Sequence, residues 1–531
     1  MTRPKNLNQV QTPKRNLPLN QVPKKMTAQE LDTSKETLKS SKPLRVQVLI
    51  IGSGAGGSTT ANVLAEQGFE VVVLEEGERH TVADYGQSPT KAMNLLLLYR
   101  NRGIMPIMGS VPIGYVEGRT LGGSTEINSG FWHRLPPEFL MRWQARFNLS
   151  DFTQDTLAEH FEWAEKILSV GLHPGPWPKS TEVFNRGVEA MQWSGQEVKR
   201  AASGCENNNT CSAGCPKGAR QGVSLSLIPD AQAKGARFIT GCKAKLLLKS
   251  RGKITGVLAE IHKPDSTSDL VRIDADHIFV CAGPTQTPSL LRKSGIKEHI
   301  GDTFQIHPML KVSALFDEEI NAQHSVMPLL QVKEFWPDIS LGGSFFSVGH
   351  LALNLGDNWL ANQNVIQDYK RMATYYVAVR GTGRGTVRTS PLGDGEPVLK
   401  YELSDVDIRH LSQGLARLSS LLLSAGAKQV YPCVQGLPQI SSELDAVRWL
   451  DENLPRSLLS LTTVHAFSTC PIGEKVEHCA ADSFGKIHGF ENLYINDASM
   501  LPDSPGINPQ GTIMAMARRN ALHFADLHRG H

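Results

Sequence analysis

Residues 46–57 constrain this chain more than any other stretch. Val46-Gln47-Val48-Leu49-Ile50-Ile51 reads as a short, nearly all-apolar strand that runs straight into Gly52-Ser53-Gly54-Ala55-Gly56-Gly57. A helix pattern, STTANVLAEQG, follows, and then a second strand, Val71-Val72-Val73-Leu74, ending in Glu75-Glu76-Gly77. Strand, glycine turn, helix, strand and acid is the order of a unit that binds a dinucleotide. Gly52 permits the tight turn, Gly54 lets a pyrophosphate approach the backbone, and Gly57 lets the helix pack close to the strand. The helix start at Ala55 and Gly56 offers free N–H groups and a positive dipole end to phosphate. Glu75, with Glu76 beside it, is placed to accept ribose hydroxyls, and its charge repels a 2′-phosphate. The unit alone does not choose between NAD and FAD.

The rest of the chain narrows the choice. Its 531 residues are enough for two large domains or three smaller ones, with 40% apolar and 20% charged residues. No apolar run approaches the roughly 18–20 residues of a membrane helix, so a transmembrane protein is not expected. The net charge of +3 conceals a division. Residues 1–45 hold ten basic and three acidic side chains, and the remainder holds 45 and 49. The basic pI therefore belongs to a leader, and the body gives no reason to expect a nucleic-acid partner. That leader, residues 1–43, has too few apolar side chains to offset its ordering entropy and is expected to be disordered. It lacks the apolar core of a secretory signal, so a cytoplasmic protein is expected, with peripheral membrane association left open.

Three further motifs follow. Gly118-Arg119-Thr120-Leu121-Gly122-Gly123-Ser124-Thr125-Glu126-Ile127-Asn128 is a second glycine-rich segment. A third, starting at Gly283-Pro284, comes after an apolar strand at His277–Ala282. Near the C-terminus stand Asn496-Asp497-Ala498-Ser499 and Gly506-Ile507-Asn508-Pro509, before a helix TIMAMARRNA. Together these segments closely resemble the glucose–methanol–choline (GMC) oxidoreductases, from about Val46 to Phe524.

The resemblance implies an α/β fold. A Rossmann-type FAD domain would be built from 44–310 and 456–531. A substrate domain on an antiparallel sheet would span 311–455, as in the p-hydroxybenzoate hydroxylase-like architecture. It implies FAD in an extended form, with the adenine half on the Gly52–Glu75 unit. Gly122, Gly123, Ser124, Thr125 and Asn128 match the segment along the pyrophosphate and flavin, and Asp497 and Ala498 match the segment near the ribityl chain. Asn508 and Pro509 complete the expected flavin contacts. Where some members tether the flavin through a histidine, this chain has Ile127, so non-covalent FAD is expected.

Oxidising an alcohol with a flavin needs a hydride acceptor and a group that takes the hydroxyl proton. Histidine suits the second role because its ordinary pKa lies near working pH. Sequence alone cannot choose among 17 histidines. By the resemblance, His465, opening an H-x-x-x-T segment, matches the family's active-site histidine. Asn508, 43 residues on, matches its partner. His465 is thus expected as base and Asn508 as the amide that orients the substrate oxygen. His307, in Ile306-His307-Pro308, is a third candidate, read as structural.

Cys205, Cys211 and Cys215 fall in the spacing C-x5-C-x3-C-P. This resembles a ferredoxin run with one ligand replaced. It raises a three-iron cluster as an expectation, beside the reading of free or paired structural thiols. The substrate is expected to be an apolar or long-chain alcohol, with oxygen or an external carrier as electron acceptor. The alternatives are a sugar or polyol dehydrogenase working through the cluster, and a catalytically inactive flavin-binding protein.

Overall fold

The structure is a computed structural model that describes residues 44–87, 91–263, 267–390 and 395–529. The expectations for the leader 1–43 lie outside the described residues. The fold is mixed α/β and has two main sheets.

The first sheet grows from the opening strand. Leu44–Ile51 runs parallel to Val71–Leu74 on one side and to Ser268–Val280 on the other. Arg237–Ile239 extends the parallel layer beyond Val71–Leu74, and Leu493–Ile495 extends it beyond Ile278–Val280. These strands read as near-continuous apolar runs because both of their faces are covered. Helix Ala55–Glu66 covers one face and is itself packed by the C-terminal helix Gln510–His528. The strand read as His277–Ala282 in fact begins at Ser268. Its first half serves an antiparallel meander with Lys253–His262 and Cys242–Ser250, and only its second half joins the parallel layer.

The second sheet is almost wholly antiparallel. Met309–Phe316 lies at its centre, between Met372–Val379 on one side and Leu461–Thr463 and Ala427–Pro432 on the other. Helix Asp405–Ser424 packs behind it. Its start is fixed by a reciprocal cap. The Ser404 hydroxyl accepts from the Asp407 amide at 3.0 Å, and the Asp407 carboxylate accepts from the Ser404 amide at 3.1 Å. It ends before Gly426, whose φ of +94° turns the chain out of the helix. This sheet also takes Met105–Ile107, Ile113–Tyr115, Gly195–Glu197 and Leu461–Thr463, all outside 311–455. Each sheet has its own hydrophobic core.

A two-strand ladder stitches the layers together where they meet. Gln305–Ile306 pairs with Ala466–Phe467. A cavity of about 970 Å³ runs between the layers, lined by residues of both.

Candidate active site

One end of the cavity is built by the opening unit. Gly52 has a φ of +101°, and a Cβ there would lie 2.4 Å from the Cys281 carbonyl oxygen, so the turn admits no side chain. Gly54, by contrast, faces open space, with nothing within 4 Å of where its Cβ would be. The Gly122-Gly123 segment closes over it. The Gly122 amide donates to the Ser53 hydroxyl at 2.9 Å, and a Cβ on Gly123 would come within 3.1 Å of the Gly54 Cα. The two glycine-rich segments, about 70 residues apart in the chain, thus form a single cradle.

The acids around this cradle are held by the protein. Glu75 is buried and accepts from the Ser53 amide (3.0 Å), the Ser53 hydroxyl (2.6 Å) and the Gly77 amide (2.7 Å). Burial raises its pKa, opposed by those hydrogen bonds. Burial also acts on Glu76, but Arg100 at 3.0 Å, Lys243 at 3.7 Å and Arg119 at 2.8 Å hold its pKa down to about 2. Asp497 is buried and accepts from Gly283 N (2.8 Å), Thr287 Oγ1 (2.6 Å) and Ser499 N (2.7 Å), tying the third and fourth motifs together. The Asn128 amide donates to Gln510 Oε1 at 2.5 Å and accepts from the Gly130 amide at 2.9 Å. Thr125 donates to the Gly122 carbonyl at 2.7 Å, and Ser124 accepts from the Gly118 amide at 2.9 Å. Gly52, Gly54, Ala55, Gly56, Glu75, Glu76, Gly123, Ser124, Thr125, Asn128, Asp497, Ala498, Asn508 and Pro509 all line the one cavity. Gly57 and Gly122 support it from behind. A Cβ on Gly57 would lie 1.9 Å from the Gly52 carbonyl, and one on Gly122 would meet the Glu126 side chain at 2.5 Å. Ile127 lines the wall and carries no nucleophile. An open slot over Gly54, at a helix N-terminus and flanked by Glu75, fits an extended dinucleotide.

At the other end, His465 and Asn508 meet. The Asn508 side-chain amide lies 3.1 Å from His465 Nε2. An amide NH₂ can only donate, so Nε2 accepts and carries no proton. On the far side of the ring, His465 Nδ1 lies 3.0 Å from His307 Nδ1. With Nε2 unprotonated, the neutral ring carries its proton on Nδ1 and donates it to His307. The His307 proton is then on Nε2, a buried atom with no hydrogen-bond partner. Burial, and then the charge of Lys311, push the His465 pKa down to about 4. His307 is held well below the ordinary value by burial, then by His465, Arg380 and Lys333. Both rings are therefore neutral over the ordinary pH range.

The His307 contact is what reading the sequence missed. It depends on the ladder between Gln305–Ile306 and Ala466–Phe467, which places the two histidines next to each other although 158 residues separate them.

The three cysteines face a small separate cavity, together with Arg200 and Arg220. Arg200 donates to Cys205 Sγ at 3.5 Å and to Cys211 Sγ at 3.3 Å. The Arg200 guanidinium thus lies beside two of the three thiols. Among the described residues no three metal-ligating side chains gather. Nothing here supports the expected iron-sulfur site at Cys205, Cys211 and Cys215. Among the described residues no helix is long and apolar enough to cross a membrane.

The N-terminal domain of the GMC oxidoreductases matches residues 46–309, and the C-terminal domain matches 381–517. An uncharacterized GMC-type oxidoreductase of Sinorhizobium fredii is 37% identical, covering 91% of this chain and 95% of its own. A long-chain-alcohol oxidase of Arabidopsis thaliana is 26% identical, over 92% of this chain and 68% of its own. Among solved structures, pyridoxine 4-oxidase from Mesorbium loti superposes with a TM-score of 0.67. It shares 17% identity and covers 92% of this chain and all of its own.

Proposed function

This chain belongs to the GMC family of FAD-dependent oxidoreductases, which act on CH–OH donors, and on that footing we propose that His465 is its general base and Asn508 its oxygen-orienting amide. The observation that carries this reading is the Asn508–His465 contact, with an unprotonated Nε2 on the wall of the cavity that also holds the glycine cradle. Bound FAD supplies the two-electron acceptor for the hydride leaving the carbinol carbon. The protein's own part concerns the hydroxyl. The substrate oxygen takes the Asn508 N–H over from Nε2, and its proton passes to the Nε2 lone pair so released, while the amide offsets the charge that builds on the oxygen as the C=O bond forms. His465 then becomes an imidazolium, and the bond from its Nδ1–H to His307 becomes charge-assisted. His307 is thus a positioning residue. It fixes the tautomer that leaves Nε2 unprotonated.

The hydrocarbon part of the substrate has a suitable wall in Met309, Met327, Phe345 and Leu353. This supports an alcohol with an apolar body, as does the name of the Arabidopsis relative. The test is anaerobic. Purified yellow protein is mixed with primary alcohols of increasing chain length, and flavin bleaching is followed. Bleaching that improves with chain length is expected. A flavoprotein that no alcohol bleaches would instead be an inactive scaffold, and the reading would be lost.

A further inference from the structure

The substrate end of the cavity carries two ammonium groups that, among the described residues, have no carboxylate to balance them. Lys311, on the central strand of the second sheet, donates to the Ser344 hydroxyl at 3.0 Å and lies 5.4 Å from the centre of the Tyr376 ring. Lys333 follows the strand Leu330–Val332 and also lines the cavity. Its backbone amide donates to the Ser194 carbonyl, and among the described residues its ammonium group has no ion-pair partner. Arg380, on the same wall, shows the contrast, because Asp338 holds it at 3.0 Å. The acids that line the cavity, Glu75, Glu76, Glu117 and Asp497, lie in the cofactor motifs and are engaged there.

A cation taken partly out of water without a counter-ion is unfavourable. Each leaves positive charge on the cavity lining that an anion would offset. We propose, as a deepening of the alcohol-oxidation reading and resting on it, that the substrate carries an anionic group, a carboxylate or a phosphate, received by Lys333 while its carbinol meets His465 and Asn508, with the Lys311 charge adding to the positive potential of the cavity.

The electrostatics agree. Burial lowers the pKa of each lysine to about 8, so both are mainly charged at neutral pH and ready for an anion. Lys311 depresses His465, and Lys333 depresses His307 and His133, so both charges are felt at the reacting end of the cavity. The Gln331 amide donates to the Tyr376 hydroxyl at 2.7 Å, and its carbonyl takes the His133 Nε2 proton at 3.0 Å. That engages both ends of the Gln331 amide.

The experiment compares matched substrates of equal chain length: a primary alcohol, the corresponding hydroxy acid, and the phosphate monoester of the corresponding diol. For the wild-type protein, kcat/KM for an anionic member is expected to exceed that for the neutral alcohol by tenfold or more. Whether the acid or the ester is preferred tells carboxylate from phosphate. In Lys333→Met the ratio of anionic to neutral should collapse toward one, mainly through KM, and Lys333→Arg should restore much of it. A second readout needs no turnover: the non-oxidisable carboxylic acid of the same length should perturb the flavin spectrum, with a Kd at least tenfold weaker in Lys333→Met. Equal use of neutral and anionic members by wild type, or an unchanged ratio in Lys333→Met, would overturn the proposal. Failure of the underlying reading looks different: no member of the series would bleach the flavin, with or without the anion.

Discussion

The two ends of the cavity solve the problem of buried charge in opposite ways. At the cofactor end every acid is satisfied from within the protein. Glu75 and Asp497 accept backbone and hydroxyl donors, and Glu76 is surrounded by Arg100, Arg119 and Lys243. At the substrate end two lysines have no ion-pair partner among the described residues, and two histidines are kept neutral by burial and by neighbouring positive charge. The first arrangement is a finished cradle, which binds through shape and backbone donors. The second is unfinished and is completed by its ligand. Substitutions at the cofactor end should therefore change occupancy, and substitutions at the substrate end should change rate and selectivity with the flavin still bound.

The largest effect expected is at the substrate end. His465→Ala removes the imidazole that Asn508 meets and should slow flavin reduction roughly 10²-fold or more if it is the general base. The flavin-to-protein absorbance ratio should be unchanged. Anaerobic stopped-flow reduction measures this, and a loss under threefold would sink the assignment.

The cofactor end is separated by two neighbouring glycines. Gly54→Val projects into open space, so the apoprotein should keep its thermal midpoint while FAD affinity falls about tenfold or more, because the branched side chain occupies the slot. Gly56→Ala is the opposite case. Its Cβ would sit 1.9 Å from the Asn496 carbonyl oxygen, so it should destabilise the fold by about 1–3 kcal/mol, the usual cost of overpacking. Thermal melts of the stripped protein and flavin titration tell the two apart. Equal loss of stability in both variants would break the distinction.

The same division governs what could be read from the chain alone. The cradle was legible because its parts are local: a strand, a turn, a helix and an acid succeed one another within 30 residues, and each leaves its own composition. His465 and Asn508 were legible as a pair only through the family pattern. The long strand Ser268–Val280 was half seen, because its antiparallel half and its parallel half have different partners and different burial. His307 was discounted because nothing near Ile306-His307-Pro308 shows that a ladder brings it to Ala466. Lys311 and Lys333 gave no signal. A lysine on a strand is ordinarily solvated, and only closure of the second sheet against the first turns these two toward the cavity. The segment Met105–Tyr115 likewise joins the second sheet through partners some 350 residues away.

His307→Leu comes next in size. It keeps the bulk but removes the acceptor for the His465 Nδ1 proton, and with it the bond that fixes the tautomer. A fall of about tenfold in the reduction rate is expected, with flavin content unchanged. His307→Gln, which can still accept, should recover part of it. A purely structural role would instead lower both variants together with their melting temperature.

The smallest effect tests the electrostatics directly. Burial comes first in lowering the His465 pKa to about 4, and the Lys311 charge comes second. The base is protonated, and so disabled, only as pH falls through that value, and wild-type reduction should hold its rate down to about pH 5. Lys311→Met removes the like charge but leaves the burial, so the acid limb should move upward, by about one unit or less, and stop short of 6.5. The direction is the decisive part. A downward shift would mean that Lys311 does not act on this imidazole through its charge. A shift all the way to 6.5 would mean that the ring is far more hydrated than its surroundings imply, and that the contrast between the two ends rests on the lysines alone.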